Sequence, residues 1–220
     1  MKLFLSIIFF LTFPIAAAAQ TAPDRSDTQS WNDIQLTVPL AAKVDLVTKL
    51  TLRFGGNLTK FSENRILFGF SFKPKKGLSI TPFYWQANTK NPRTGKFSTE
   101  HQLDVAASYR MPVGKKYGIT HRSIYEYRMQ RSGNSWRYRP LLGIDRTLPA
   151  KWLKNTKMFV TAEAFYDSKL RKWSRSRFSA GITHVFSKQL SLDLFYTRQN
   201  DGYAHPGDLN VIGTTWKVRL

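Results

Sequence analysis

Three groups of side chains in this sequence have types and spacings that could do chemistry. His121 and Ser123 stand two residues apart; on a strand they would share a face and could act as base and nucleophile. Glu100, Asp104 and Arg110, then Arg122, Glu126 and Arg128, then Arg137, Arg139 and Asp145, then Glu163, then Arg175 and Arg177 recur at even spacings within their segments. On strands each set would project to one side, where carboxylates could select ions or simply neutralise guanidiniums. His101, His184 and His205 sit on separate segments without ligand spacing, and the chain has no cysteine, so neither a metal site nor a cofactor is expected.

The elements that must carry these residues are strands. Around the stretch 119–144, Arg122, Glu126 and Arg128 alternate with Tyr125, Tyr127 and Met129; after a short polar loop, Arg137, Arg139 and Asp145 alternate with Tyr138, Pro140, Leu142 and Ile144. Successive side chains of a strand point to opposite faces, so this is a hairpin with one ionic and one apolar face. Arginines interleaved with carboxylates suit an enclosed lumen in which opposite charges meet.

The design repeats along the chain. Leu46, Leu50, Leu52 and Phe54 oppose Asp45, Lys49 and Arg53; Ile66, Phe68, Phe70 and Phe72 oppose Arg65, Ser71 and Lys73; Leu103, Val105, Tyr109 and Met111 oppose Glu100, Asp104 and Arg110. Similar runs cover 31–38, 158–166, 175–186, 190–199 and 209–220, whereas 78–86 is irregular, with Pro82 inside it and Phe83 and Trp85 on the side that should be polar. Connections alternate between short ones (40–43, 74–77, 112–116, 149–156, 187–189) and long ones (55–64, 87–99, 130–135, 167–174, 200–208), as in outer-membrane barrels with short periplasmic turns and long external loops. About eleven strands are countable, yet bacterial single-chain barrels have even numbers. The expected fold is therefore all-β, an antiparallel up-and-down transmembrane β-barrel of about 10–12 strands: twelve first, ten next, and an odd barrel closed by a parallel pair third.

Lys2, the apolar run Leu3 to Ile15 and the alanines before Gln20 make a secretory signal peptide over 1–19, too short in its apolar part to span a bilayer as a helix. A flexible leader over 20–29 and a barrel domain over 30–220 complete the organisation. The formal charge of +20 becomes +19 when Lys2 is removed, which favours anionic partners: outer-membrane lipid, lipopolysaccharide and small anionic solutes. No nucleic-acid motif is present, so nucleic acid is not an expected partner. Negative mean hydropathy does not argue against a barrel, whose strands need only every second residue apolar.

Alternation alone leaves open which face is inside. A soluble periplasmic barrel or sandwich, with an apolar core and an anion-binding arginine surface, is one alternative. The signal peptide, the loop asymmetry, the acids on the arginine-bearing parity and the aromatic residues toward strand ends (Tyr84, Tyr109, Tyr127, Tyr166, Tyr196, Trp216) favour the outer membrane of a Gram-negative bacterium. In that frame His121 and Ser123 face lipid, an arrangement that resembles outer-membrane phospholipase and lipid A deacylase barrels and supplies the second alternative, a lipid-acting hydrolase. Against it, Tyr138, Pro140 and Leu142 occupy the outward positions of the next strand, without a polar group to orient the base, and His121 lies toward the periplasmic end. The main expectation is no enzyme. The basic loops holding Lys90, Arg93 and Lys96, and Lys169, Arg171 and Lys172, could meet lipopolysaccharide phosphates or be solvated.

Over nearly the whole mature chain the order of short motifs resembles a family of uncharacterised secreted bacterial proteins, known only as a domain of unknown function. The motifs are Trp31-x-x-Ile34, Glu100-His101-Gln102, Arg122 with Glu126 and Arg128, Trp136-Arg137-Tyr138-Arg139, Glu163-x-Phe165-Tyr166, Arg175-x-Arg177 and Val211-Ile212-Gly213. The resemblance implies an outer-membrane β-barrel and no activity. Gln102 stands where the family has Arg, removing a lumen charge, and Leu220 replaces the terminal aromatic that the barrel-assembly machinery, an expected partner, usually reads. With an Arg/Glu-lined lumen, the expected role is a narrow anion-preferring pore or a structural wall component.

Overall fold

The computed structural model describes residues 26–91, 94–204 and 206–220. The expected signal peptide, the first part of the leader, Arg93 and His205 lie outside the described residues. Among the described residues there are eleven strands and no helix: β1 (Ser26–Ala41), β2 (Val44–Gly55), β3 (Lys60–Lys75), β4 (Leu78–Lys90), β5 (Phe97–Val113), β6 (Tyr117–Met129), β7 (Ser135–Thr147), β8 (Thr156–Asp167), β9 (Lys172–Val185), β10 (Leu190–Asp201) and β11 (Asp208–Arg219). Each pairs with the next as an antiparallel hairpin, and β1 closes the barrel against β11.

The closure is the departure from an even-numbered barrel. β1 and β11 run parallel, from Ser26 opposite Asp208 to Thr37 opposite Arg219, and Leu220 N donates to Thr37 O at 3.1 Å. Eleven strands fall within the expected range, but the preferred twelve is replaced by the odd count, because no further strand stands between β1 and β11 among the described residues. β1 also begins at Ser26, so 26–29 belongs to the wall and not to the leader. The long connections shrink in the same way, since strands continue as paired ribbons into the expected loops; β5 reaches 17 residues.

The register fixes the shape. One row of paired residues leaves Pro112 on β5, passes through Gly118, Asp145, Phe159, Gly181, Phe195, Gly213, Trp31, Arg53, Glu63 and Thr89, and returns to β5 at Ser98, a slip of 14 residues (112 − 98). With about 3.3 Å per residue along strands and about 4.8 Å between them, the strands tilt by about 40° and the wall is about 22 Å across. A 12-residue strand such as β2 then rises about 30 Å, enough for an apolar band about 25 Å tall.

The parities separate cleanly. Large apolar side chains stand exposed on the outside, with Ile66 at 59%, Leu103 at 54% and Phe178 at 52%. Of the thirteen acidic residues among those described, every one but Asp208 lies on the inward parity. The arrangement that the soluble alternative needs, the apolar parity in a core under an arginine surface, is overturned. The irregular strand β4 also finds its reason: Phe83 and Trp85 do point inward, where Lys49 and Arg65 lie over the Trp85 ring and Phe83 packs edge-on against it.

Candidate functional site: the charged lumen

The short carboxylates lie against the wall and the long guanidiniums reach over them. Glu163 on β8 accepts from Arg122 Nη2 at 3.0 Å and Arg139 Nη2 at 2.9 Å, with Arg177 Nη1 at 3.8 Å. Glu126 on β6 pairs with Arg139 and, at 3.6 Å, with Arg137. Arg137 and Arg128 meet Asp167 at 3.1 and 3.5 Å, and Arg128 also binds Glu100 at 2.6 Å. Arg175 pairs with Asp201 at 2.5 Å. One continuous network of ion pairs thus spans β5 to β9, with Arg175–Asp201 as a separate pair beside it.

Three of the sequence-selected residues, Arg110, Asp145 and Asp104, stand apart from the network and from that pair. Arg110 and Asp145 bind each other at 2.6 Å near the short-turn rim, away from the central charges. Asp104 faces Glu126 across β5–β6 and is buried, yet neither of its oxygens meets a donor among the described residues. A second set was missed in the sequence: Glu63 binds Arg53 at 2.9 Å and also Arg65, and Lys49 binds Asp33 at 3.1 Å. The sequence pattern marks Lys49, Arg53 and Arg65 as inward, whereas their partners Asp33 and Glu63 depend on strand register.

Aromatic faces hold the cations in place. Phe165, 1% exposed, has four guanidiniums around its ring: Arg139 at 4.6 Å, Arg177 at 4.7 Å, Arg175 at 5.4 Å and Arg137 at 5.9 Å. Trp31 takes Arg53 at 3.9 Å and Arg177 at 4.8 Å and donates its Nε1–H to Gln29 at 2.9 Å. Trp85 takes Lys49 at 4.9 Å and Arg65 at 5.5 Å. A cation over a π-face is attracted by the ring quadrupole, more strongly where water is scarce. These rings therefore fix guanidinium planes that would otherwise be flexible.

Below the network the wall turns apolar on one side. Leu67, Ala106 and Ile124 are buried on the inward parity of β3, β5 and β6. Elsewhere phenylalanines fold flat onto glycines: Phe195 lies opposite Gly213, so close that a Cβ there would sit 2.1 Å from the ring. The space that remains is a cavity of about 1300 Å³, running from Lys60, Asn91 and Ala204 at the long-loop end down to Asp33, Lys49, Phe159 and Asp193. Eleven lysines and arginines and seven acids line it.

On the outer surface His121 Nε2 lies 3.1 Å from Ser123 Oγ, and Ser123 Oγ lies 3.0 Å from the Tyr138 hydroxyl. Tyr138 is thus a polar neighbour, contrary to its reading as apolar. It serves the serine and does not orient the histidine, and the chain Tyr–Ser–His satisfies three polar groups on a face otherwise built of apolar side chains.

The sequence profile of the family described as "Protein of unknown function (DUF2490)" matches residues 28–210. No curated protein matches. Among solved structures, the NanC porin aligns with a TM-score of 0.52 at 9% identity, over 88% of this chain and 99% of that one. The KdgM porin aligns at 0.45 and 13% identity, over 76% and 81%, and an anion-selective porin from Comamonas acidovorans at 0.40 and 13%, over 81% and 54%. The likeness to the NanC porin shows a shared porin-like β-barrel fold.

Proposed function

Since the chain belongs to the DUF2490 family of proteins of unknown function, with no activity to inherit, we propose from its geometry that it is an integral outer-membrane barrel whose lumen is a narrow, anion-preferring pore. The apolar exterior supports the membrane location, as does the porin-like fold.

The observation that carries the ionic preference is the layering of charge. Eleven basic and seven acidic residues line the cavity, and at its centre the acids are the more deeply covered: the side chains of Glu126 and Glu163 are 2% and 6% exposed, against 12% to 34% for the arginines paired with them. Around these two carboxylates a solute meets guanidinium before carboxylate, so the surface there is more cationic than the count. Rings of such groups set ion selectivity in pores. The test is a planar bilayer with a salt gradient across it: a reversal potential of the sign for anion preference is expected, and cation preference, or no conductance in the reconstituted protein, would overturn the proposal.

A further inference from the structure

The rim at the short-turn end has a character the lumen does not explain. Each of its five connections (42–43, 76–77, 114–116, 148–155, 186–189) carries at least one lysine and none carries an acidic residue. The connections at the opposite end also lack acids, but two of those five, 56–59 and 202–207, carry no lysine or arginine, so positive charge does not encircle that end. The short turns thus place lysines around the whole circumference, while the acids just inside them on the inward parity, Asp45, Asp145 and Asp193, are taken by Lys73 and Arg219, by Arg110 and by Lys217.

Its cations are placed against the outer wall. Lys75 Nζ lies 5.8 Å over the ring of Tyr109, and the Arg146 guanidinium lies 5.6 Å over Tyr117; both tyrosines are exposed on the apolar exterior. Their aliphatic stems follow the apolar surface while the charged heads stay at its edge. In the longest of these turns, Lys151 and Lys154 flank Trp152 and Leu153, which are 66% and 44% exposed. An apolar tip between two cations, level with tyrosines that end the apolar belt, is the composition of a membrane interface.

We propose that this rim is a collar that binds anionic phospholipid, with lysines and Arg146 on the phosphodiester headgroups of the adjoining leaflet and Trp152 and Leu153 seated among the acyl chains. A soluble acidic protein would need one patch; a ring with an apolar tip in its plane fits a flat anionic surface. The proposal rests on the membrane location given above and is independent of conduction.

The test uses the full chain reconstituted from detergent into phosphatidylcholine vesicles with and without phosphatidylglycerol. Flotation with vesicles of either composition checks the membrane location by itself. Native mass spectrometry of the re-extracted protein is expected to show phosphatidylglycerol retained over phosphatidylcholine. Lys→Gln changes at Lys75, Lys76, Lys115, Lys116, Lys151 and Lys154 together should lower that retention about tenfold or more, while the long-loop variant K60Q/K90Q/K96Q keeps it. Brominated acyl chains should quench a component of fluorescence that Trp152→Phe removes. Equal retention of both lipids, equal loss in both variants, or an unquenched Trp152 would overturn the proposal. Competition by inorganic phosphate without quenching would show a soluble-anion site instead and also overturn it.

Discussion

Glu163→Gln is the sharpest test of the layered lumen. Its carboxylate is 6% exposed and is shared by Arg122 at 3.0 Å, Arg139 at 2.9 Å and Arg177 at 3.8 Å. Removing one partner of a buried ion pair costs about 3–5 kcal/mol, mostly because the remaining charge is left uncompensated. Here each arginine has some relief. Arg139 keeps Glu126, Arg177 keeps Gln199, to which its Nε–H donates at 2.7 Å, and the Arg122 side chain is 34% exposed and can reach water. The loss should therefore fall at the low end, about 3 kcal/mol. Urea unfolding in micelles, followed by tryptophan fluorescence and by the gel shift between folded and boiled protein, measures it. Adding Arg122→Gln should recover about 1 kcal/mol, since that variant removes a cation that has neither another carboxylate, as Arg139 has, nor an amide, as Arg177 has, among the described residues. A loss below about 1 kcal/mol, or strict additivity of the two changes, would refute the claim that Glu163 holds the three arginines together. In the bilayer the same variant removes a negative charge and should move the reversal potential further toward anions.

Two further outcomes follow from local geometry. Gly213→Ala places a Cβ 2.1 Å from the Phe195 ring and should cost about 1–3 kcal/mol by overpacking; in a Phe195→Ala background the same change should cost far less, and equal cost in both backgrounds would show that the ring is not what the glycine accommodates. Ser123→Ala removes a hydroxyl bonded to Tyr138 and His121 and should cost about 1 kcal/mol without altering hydrolysis of phospholipid esters by the purified protein; a hydrolysis rate that falls with this substitution would restore the enzymatic reading.

The alternation of side chains made the strands legible because a period of two is imposed directly by the pleat. Arg137 and Arg139 opposite Tyr138, or Phe68 and Phe70 opposite Gly69, carry their face assignment in the sequence itself. Strand pairing at the closure was not legible: Trp31 meets Gly213 across a parallel seam, and nothing local to either residue marks the direction of its partner. Partners within the lumen were hidden for the same reason, since Arg122 reaches Glu163 across β7 and the choice depends on register and tilt. Phe83 and Trp85 looked like errors in the pattern because parity alone does not reveal that Lys49 and Arg65 lie over the Trp85 ring.

The wall and its lining together limit what such a lumen admits. A wall about 22 Å across loses about 5 Å on each side to side chains of ordinary length, leaving about 12 Å. The side bearing Leu67, Ala106 and Ile124 is filled further, as their burial shows, so the cavity lies beside Asp33, Lys49 and Asp193 at its lower end. In so narrow a space, freely moving arginines would close the passage and would lose side-chain entropy on meeting an ion. Stacking Arg53 and Arg177 on Trp31, and Arg139 and Arg177 on Phe165, draws the guanidiniums to the wall while leaving their charge unneutralised by the ring. Aromatic residues inside a polar lumen are therefore consistent with the proposed passage of small anions: they hold the cations to the wall and leave the cavity free, a task carboxylates alone would perform only by cancelling the field that attracts the ion.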